Sequence, residues 1–233
     1  MTIFPHRTGT RSWKALALAA PLALGLALSA CSSSSSSSSS SQATTSSTTT
    51  TTIAGTVTPT TAAGGLVATG TVTCSNVSGT ITFNPPLSNS GTSPETTTIS
   101  LNASGCTQTG SNAQVTGGTA TATIPGSTNA CTSLLTSKPV AVGVAWTPSS
   151  VHATVATFSG YAVVMNSAGD IGFGLPASGG TASVAGSFAG SDNGSASKAT
   201  TYSALTSTQL LAECGAATGM STLAITSGTA TFG

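Results

Sequence analysis

The segment Val140-Ala141-Val142-Gly143-Val144-Ala145-Trp146 carries the clearest structural signal in the chain. Large apolar residues alternate with small ones, and this period of two is typical of a β-strand, whose successive side chains point to opposite faces. Because the alternate residues are small rather than charged, the segment predicts a strand that is covered on both faces.

Weaker repeats of the same period flank this segment on both sides. They comprise Val72 with Cys74, Ile81 with Phe83, Ile99 with Leu101, Ala120 with Ala122 and Ile124, Val151 with Ala153 and Val155, Tyr161 with Val163 and Met165, Ile171 with Phe173 and Leu175, Val184 with Phe188, and Leu223 with Ile225. Turn-forming sequences such as Asn84-Pro85-Pro86, Gly117-Gly118 and Pro125-Gly126 separate these repeats. Short strands at this spacing predict an all-β fold, a two-layer β-sandwich that is immunoglobulin-like in general architecture.

One short helix is predicted near residues 207–214. Thr206 and Gln209 have the spacing of a capping box, in which each side chain satisfies a backbone N–H at the start of a helix. Leu210, Leu211 and Cys214 are predicted to fall on one helical side, and Gly215 has the position of a glycine that ends a helix in a left-handed conformation.

Four cysteines follow residue 31, and an even number in an exported chain favours two disulfide bonds. Four cysteines permit three pairings, and buried free thiols are the alternative. We predict Cys74–Cys106, between neighbouring early strands, and Cys131–Cys214, between the helix and the loop before the Val140 strand. No two cysteines have the close spacing of a zinc site, so no metal is expected.

The first residues have the pattern of an export signal. Three cations, Arg7, Arg11 and Lys14, precede an apolar run from Ala15 to Leu28. The run ends in Leu28-Ser29-Ala30-Cys31, which resembles the lipobox of bacterial lipoproteins. That resemblance implies a signal peptide at residues 1–30, removed before Cys31, and lipid attachment to the Cys31 thiol. The alternative is an ordinary signal peptide that has a cysteine at this position.

Residues 31–65 predict a disordered tether, because an unbroken serine tract from Ser32 to Ser41 continues into serine and threonine. Such side chains bury too little apolar surface to offset the entropy of ordering. The β-domain is placed at residues 66–233. With Cys31 lipidated, the protein is expected at the extracytoplasmic face of the cell membrane.

Charge is scarce, since only 4% of residues are charged, against about 25% in an ordinary globular chain. After residue 31 the lysines are Lys138 and Lys198 and the carboxylates are Glu95, Asp170, Asp192 and Glu213, a formal charge of −2. This balance excludes the basic footprint of a nucleic-acid-binding protein.

The folded part resembles exported β-rich proteins of high-GC Gram-positive bacteria. The similar features are Gly79-Thr80-Ile81-Thr82-Phe83, Gly105-Cys106, the strand that ends at Trp146, and Cys214. The order Cys131, Trp146, Cys214 is also similar to that of immunoglobulin domains, although Ala212 stands where their conserved tyrosine is expected. The resemblance implies an exported β-domain and no particular activity.

The candidate catalytic groups are few and dispersed. After residue 31 the only histidine is His152, and the chain has no G-x-S-x-G sequence. Glu95, which follows Pro94, is interpreted as a turn residue, Asp170 and Asp192 as loop residues, and Glu213 as a helix residue. We therefore expect a non-catalytic domain without a cofactor that has a structural role or binds a protein, a glycan or a small apolar ligand. The alternative is a cell-envelope hydrolase acting on an ester or glycoside, with His152 or Asp170 in its site.

Overall fold

The computed structural model describes residues 65–126, 128–190 and 194–233, which contain ten β-strands, one α-helix and one short 3₁₀ helix. The strands are β1 (Thr71–Leu87), β2 (Glu95–Thr109), β3 (Gly117–Gly126), β4 (Val140–Thr147), β5 (Thr154–Phe158), β6 (Ala162–Met165), β7 (Asp170–Leu175), β8 (Ala182–Gly186), β9 (Lys198–Thr206) and β10 (Met220–Phe232). The 3₁₀ helix is Cys131–Leu135 and the α-helix, α1, is Ser207–Gly215. The predicted signal peptide, Cys31, the serine tract and Asp192 lie outside the described residues.

All ten strands belong to one antiparallel sheet with the order β6-β7-β9-β10-β1-β2-β3-β4-β5-β8. The predicted all-β, sandwich-like fold is confirmed. Its hydrogen bonding is continuous from β6 to β8, whereas an immunoglobulin domain has two separate sheets.

The sheet folds over so that its two ends meet. Strand β5 is second from one end of the strand order and β6 is at the other end, yet only residues 159–161 connect them. Ala177 donates a backbone hydrogen bond to Gly160 across this region, and Ser159 donates one to Thr181. The inward faces of the two halves therefore enclose a common core.

Strand β4 lies in the middle of this core, and its residues from Val140 to Val144 are all buried. The prediction that this strand is covered on both faces is confirmed. At its end Trp146 packs edge-to-face against Phe188 and Phe232, with ring centroids 5.2 and 5.7 Å apart.

A buried polar network holds the Trp146 ring in place. Its indole N–H donates to the Thr154 hydroxyl at 2.7 Å, and that hydroxyl donates to the Ser187 carbonyl at 2.6 Å. The Ser187 hydroxyl in turn accepts a hydrogen bond from the Ala68 backbone N–H. Every polar atom of this chain of bonds has a partner, as burial requires.

Strand β5 differs from its predicted alternation. Thr154, Ala156 and Phe158 are buried, while Val155 and Thr157 are half-buried. The apolar pattern of Val151, Ala153 and Val155 predicted that the other face of the strand is buried. The prediction was wrong because threonine, being polar, was interpreted as facing solvent, whereas the Thr154 side chain is buried.

Some predicted turns lie inside strands. Pro85 and Pro86 belong to β1 and coincide with a register shift toward β10, where a residue without an N–H is tolerated. Gly117 begins β3, and a Cβ atom there would lie 2.5 Å from the Ala103 carbonyl oxygen. Glycine at this position permits close pairing of two strands rather than a turn.

Helix α1 and both disulfide bonds agree with the sequence predictions. The Thr206–Gln209 capping box is present, and the bonds are Cys74–Cys106 and Cys131–Cys214. Gly215 differs from its predicted position after the helix, because it is the last helical residue and lacks a left-handed conformation. A Cβ atom on Gly215 would lie 3.0 Å from the Asn89 amide nitrogen, so glycine serves the close approach of these segments.

Hydroxyl groups cover the outer face of the central strands. Thr82 pairs with Thr98 on one side and Thr222 on the other, and all three are exposed. Thr98 pairs further with Thr123 of β3. Solubility at low charge is consistent with such a face, since each hydroxyl hydrogen-bonds with water.

Within the described ranges, no helix is long and apolar enough to cross a membrane.

Candidate functional site

The inner faces of the folded sheet form a cavity of about 110 Å³ that is partly open to solvent. Inward side chains of both halves of the sheet line it, among them Ile99, Leu101, Val142, Val144, Phe173 and Leu175. Its apolar lining follows from period-two alternation, which places the apolar residues of β2, β4 and β7 on the inner face. It is a concave and mainly apolar site, as ligand sites commonly are.

Apart from Thr201 of β9, the polar residues of the lining gather at one end of the cavity. We call this the polar end, and it consists of Thr97, Ser133, Lys138 and Tyr161, with Glu95 bonded behind Thr97. Lys138 and Ser133 belong to the segment between β3 and β4, and Tyr161 belongs to the short connection between β5 and β6. Together with Thr97 of β2, three separate parts of the chain thus contribute to the polar end.

Glu95 is the most deeply buried charged residue of the polar end, with 3% of its surface exposed. The Thr97 hydroxyl donates a hydrogen bond of 2.6 Å to one carboxylate oxygen of Glu95. Burial raises the pKa of the Glu95 carboxyl above its ordinary value, while the bond from Thr97 and the positive charge of Lys138 act in the opposite direction. Burial therefore outweighs the two neighbours in setting the pKa of Glu95.

Gly126 makes room for this acidic and basic pair. A Cβ atom on Gly126 would lie 2.5 Å from a Glu95 carboxylate oxygen and 3.4 Å from the Lys138 ammonium nitrogen. The absence of a side chain on Gly126 thus leaves space for the Glu95 and Lys138 side chains next to the end of β3.

Tyr161 connects the polar end to the 3₁₀ helix. Its hydroxyl donates to the Leu134 carbonyl oxygen at 3.1 Å, and its ring packs edge-to-face on Phe173 with centroids 5.7 Å apart. Burial, together with the negative charge of Glu95, raises the pKa of Tyr161 to about 12. Tyr161 therefore remains neutral at physiological pH and acts as a fixed hydrogen-bonding group.

The other candidate catalytic groups are not part of this cavity. His152 is half-buried between β4 and β5, where its backbone N–H donates to Leu66. Asp170 is the first residue of β7 rather than a loop residue as predicted, and it accepts a hydrogen bond of 2.8 Å from the Asn166 side chain. Glu213 is exposed on α1. Among the residues described, no three histidine, cysteine or acidic side chains gather as a metal site would require.

The sequence interpretation of Glu95 as a turn residue is wrong. Glu95 begins β2 and shares the inward side of that strand with Thr97, Ile99 and Leu101. The period of two was present in the sequence, but extending an apolar repeat to a glutamate contradicts the usual preference of this residue for solvent. Of the aromatic residues in the apolar repeats, Tyr161 and Phe173 line the cavity, whereas Trp146 packs beside Phe232.

Compared with models of protein families, with curated proteins and with solved structures, the chain has no significant match.

Proposed function

We propose that this chain is an envelope lipoprotein, anchored through Cys31, whose β-domain binds a small apolar ligand without catalysis. The observation that carries the binding role is the apolar cavity within the folded sheet. The lipobox-like sequence Leu28-Ser29-Ala30-Cys31 supports the anchor, and the two disulfide bonds agree with an oxidising compartment.

The volume of the cavity limits the size of the ligand. A buried apolar cavity of roughly 150 Å³ in another protein holds benzene or xenon. At about 110 Å³, this cavity suits a single ring or a short alkyl chain and is too small for a sterol. The ligand, or the inserted part of it, is therefore small.

The chemistry around the cavity favours binding over hydrolysis. A hydrolase needs a base and an acid placed against the substrate. His152, between β4 and β5, and Asp170, at the start of β7, are the groups that a hydrolase would use. Neither lines the cavity, and Asp170 bonds with Asn166. Binding needs only apolar contacts and a few fixed polar groups, which Phe173, Val144 and the polar end supply.

Changing Cys31 to serine is expected to release the protein from the membrane. The serine hydroxyl does not accept the lipid, and without acyl chains the domain loses about 0.8 kcal/mol of membrane affinity for each CH₂ group that would be buried. Fractionation of cells that express each form measures this, and a Ser32→Cys exchange with Cys31→Ser tests whether the position of the thiol matters. Equal membrane retention of Cys31→Ser and the unchanged chain would show that lipid is not the anchor.

Filling the cavity is expected to weaken ligand binding and to stabilise the fold. Ala120→Leu places three more carbons in the cavity from β3, which contributes up to about 2 kcal/mol of stability where the space accepts them. Toluene, detected by methyl NMR of cavity side chains, should bind the unchanged chain and bind this variant at least about tenfold more weakly, an amount that a 1.4 kcal/mol loss produces.

Ala224→Leu is the matched control, because Ala224 is exposed on β10 and pairs with Thr80 on the outer face. It adds the same three carbons to the sheet without entering the cavity. If toluene binds all three forms equally, or none of them, the cavity is not the ligand site.

A further inference from the structure

We propose that the outer face of β7 is a second binding site, which takes a polysaccharide chain without acidic groups. The Tyr202 ring lies at its centre, and Asp170 and Asn166 lie at one end. This face is directed away from the cavity, because it alternates along β7 with Phe173 and Leu175, which line the cavity. The site is therefore separate from the one proposed for a small apolar ligand and goes beyond that function.

Alternate residues of β7 form this face. Asp170, Gly172 and Gly174 face outward, because Ile171 packs in the core and Phe173 lines the cavity between them. The two glycines carry no side chains, so β7 itself leaves the middle of the strand uncovered. Side chains of the neighbouring strands therefore reach over it.

The Tyr202 ring and the Val164 side chain cover the two glycines from opposite sides. In the register of the sheet, Gly172 lies between Val164 of β6 and Tyr202 of β9. A Cβ atom on Gly172 would lie 2.5 Å from Cδ1 and 3.0 Å from Cε1 of Tyr202, so the ring takes the place of a side chain there, as aromatic residues do beside strand glycines. A Val164 methyl carbon lies 3.3 Å from the position of a Cβ atom on Gly174. Tyr202 and Val164 are both half-buried, so solvent still reaches this apolar surface.

Polar groups border the apolar surface. Asp170 lies two residues from the glycine under the ring, about 6.7 Å along the strand, and its Oδ2 accepts a hydrogen bond of 2.8 Å from the Asn166 amide. Its other carboxylate oxygen has no donor among the described residues, so it can accept a hydrogen bond from a ligand. Ser227 of β10 lies opposite Tyr202, and Thr200 is two residues away from Tyr202 on the same face of β9.

An apolar centre bordered by a carboxylate and hydroxyl groups is complementary to a sugar ring. A pyranose with equatorial hydroxyl groups presents C–H groups above and below the ring and hydroxyl groups around its edge. The C–H groups pack against an aromatic ring such as Tyr202. The sugar hydroxyls donate to the Asp170 carboxylate, and they exchange hydrogen bonds with Thr200 and Ser227.

Charge and area favour a non-acidic polysaccharide over other partners. The Asp170 carboxylate repels an acidic chain, whereas Lys198 lies four residues before Tyr202 on β9, about 13 Å away along the strand. A stable protein interface needs about 800 Å² on each side with apolar anchors at its centre. The apolar part of this face consists of Tyr202 and Val164, which suits the smaller area of a sugar chain.

Titration with cellotetraose, a chain of four β-linked pyranoses with equatorial hydroxyl groups, tests the site. The full chain is used in phospholipid nanodiscs, with empty nanodiscs as the blank, and saturation-transfer NMR detects the C–H protons of the sugar. Cellotetraose is expected to bind. The same tetrasaccharide oxidised to a carboxylate at each C6 is expected to bind at least about tenfold more weakly, because Asp170 repels it.

Substitutions assign the binding to this face. Tyr202→Leu keeps an apolar side chain over Gly172 but removes the ring, so cellotetraose should bind at least about tenfold more weakly, whereas Tyr202→Phe should stay within about threefold of the unchanged chain. Asp170→Asn should weaken cellotetraose binding about tenfold, as the loss of a hydrogen bond to a charged group does. Thr98→Ala is the matched control, since Thr98 is exposed on the outer face of β2, and it should change neither affinity.

Urea denaturation monitored by Trp146 fluorescence establishes that each variant is folded. The inference is overturned if cellotetraose does not bind the unchanged chain, if folded Tyr202→Leu binds it equally well, or if the oxidised tetrasaccharide binds more tightly. Should Tyr202→Leu fail to fold, Asp170→Asn decides, and unchanged affinity in that variant overturns the inference. Toluene affinity should be the same in Tyr202→Leu and the unchanged chain, so a failure of the outer site and a failure of the cavity site are distinguishable.

Discussion

Replacing both Cys131 and Cys214 with alanine is expected to lower the free energy of unfolding by about 4.5 kcal/mol, the loop-closure entropy for two cysteines 83 residues apart. This bond connects the 3₁₀ helix to α1. Leu134 and Ser133 of the same 3₁₀ helix line the cavity. Loss of the bond should therefore weaken toluene binding as well as stability, and urea denaturation together with the methyl NMR titration measures both.

The second disulfide bond supplies the comparison. Cys74 and Cys106 are 32 residues apart and directly opposite on β1 and β2, so their removal should cost about 3.7 kcal/mol on the same entropic basis. Neither cysteine contributes to the cavity lining, and toluene affinity should stay unchanged at temperatures where this variant is folded. An equal loss of binding in both double variants would contradict the link between the 3₁₀ helix and the cavity.

Thr154→Val is expected to lower the free energy of unfolding by about 2–4 kcal/mol although the two side chains have nearly the same shape. The substitution leaves the Trp146 indole N–H without an acceptor and the Ser187 carbonyl oxygen without the hydroxyl donor. A buried polar group that loses its partner costs about 1–3 kcal/mol, and two groups lose theirs here. Urea denaturation monitored by Trp146 fluorescence measures the change.

Thr157→Val is the control for this prediction. Thr157 belongs to the same strand but is half-buried and pairs with Ala141 and Ser183 on either side. Its change to valine should stay within about 0.5 kcal/mol, as is usual for partly exposed positions. If Thr154→Val and Thr157→Val have the same stability, the Trp146 network does not stabilise the fold in the way its geometry indicates.

The contrast between β4 and β5 explains how much of the fold could be predicted from sequence. Val142, Val144 and Trp146 repeat without interruption, so both the strand and its buried faces were predicted correctly. In β5 a threonine takes an inward position because its hydroxyl finds partners in Trp146 and Ser187. Those partners come from distant parts of the chain, and a pattern of hydrophobicity does not contain them.

Only part of the candidate site could be predicted from the sequence, for a similar reason. The inward aromatic residue Phe173, the inward valines of β4 and Tyr161 all belong to apolar repeats that the sequence shows. The cavity between them depends on how far the sheet folds over, which no local pattern specifies. Glu95 was misread because its burial depends on Thr97, Gly126 and Lys138 together.

The pairing of β1 with β10 has a consequence for folding kinetics. Val72 lies opposite Phe232, so the first described strand hydrogen-bonds with the last, and β1 holds its central place in the sheet only with β10 beside it. Contacts between residues so distant along the chain slow folding, because most of the loop entropy is lost before these contacts form. The two halves of the sheet therefore belong to one cooperative unit. A chain that stops before Met220 would expose the open edges of β1 and β9, which makes such a fragment prone to aggregation and to proteolysis.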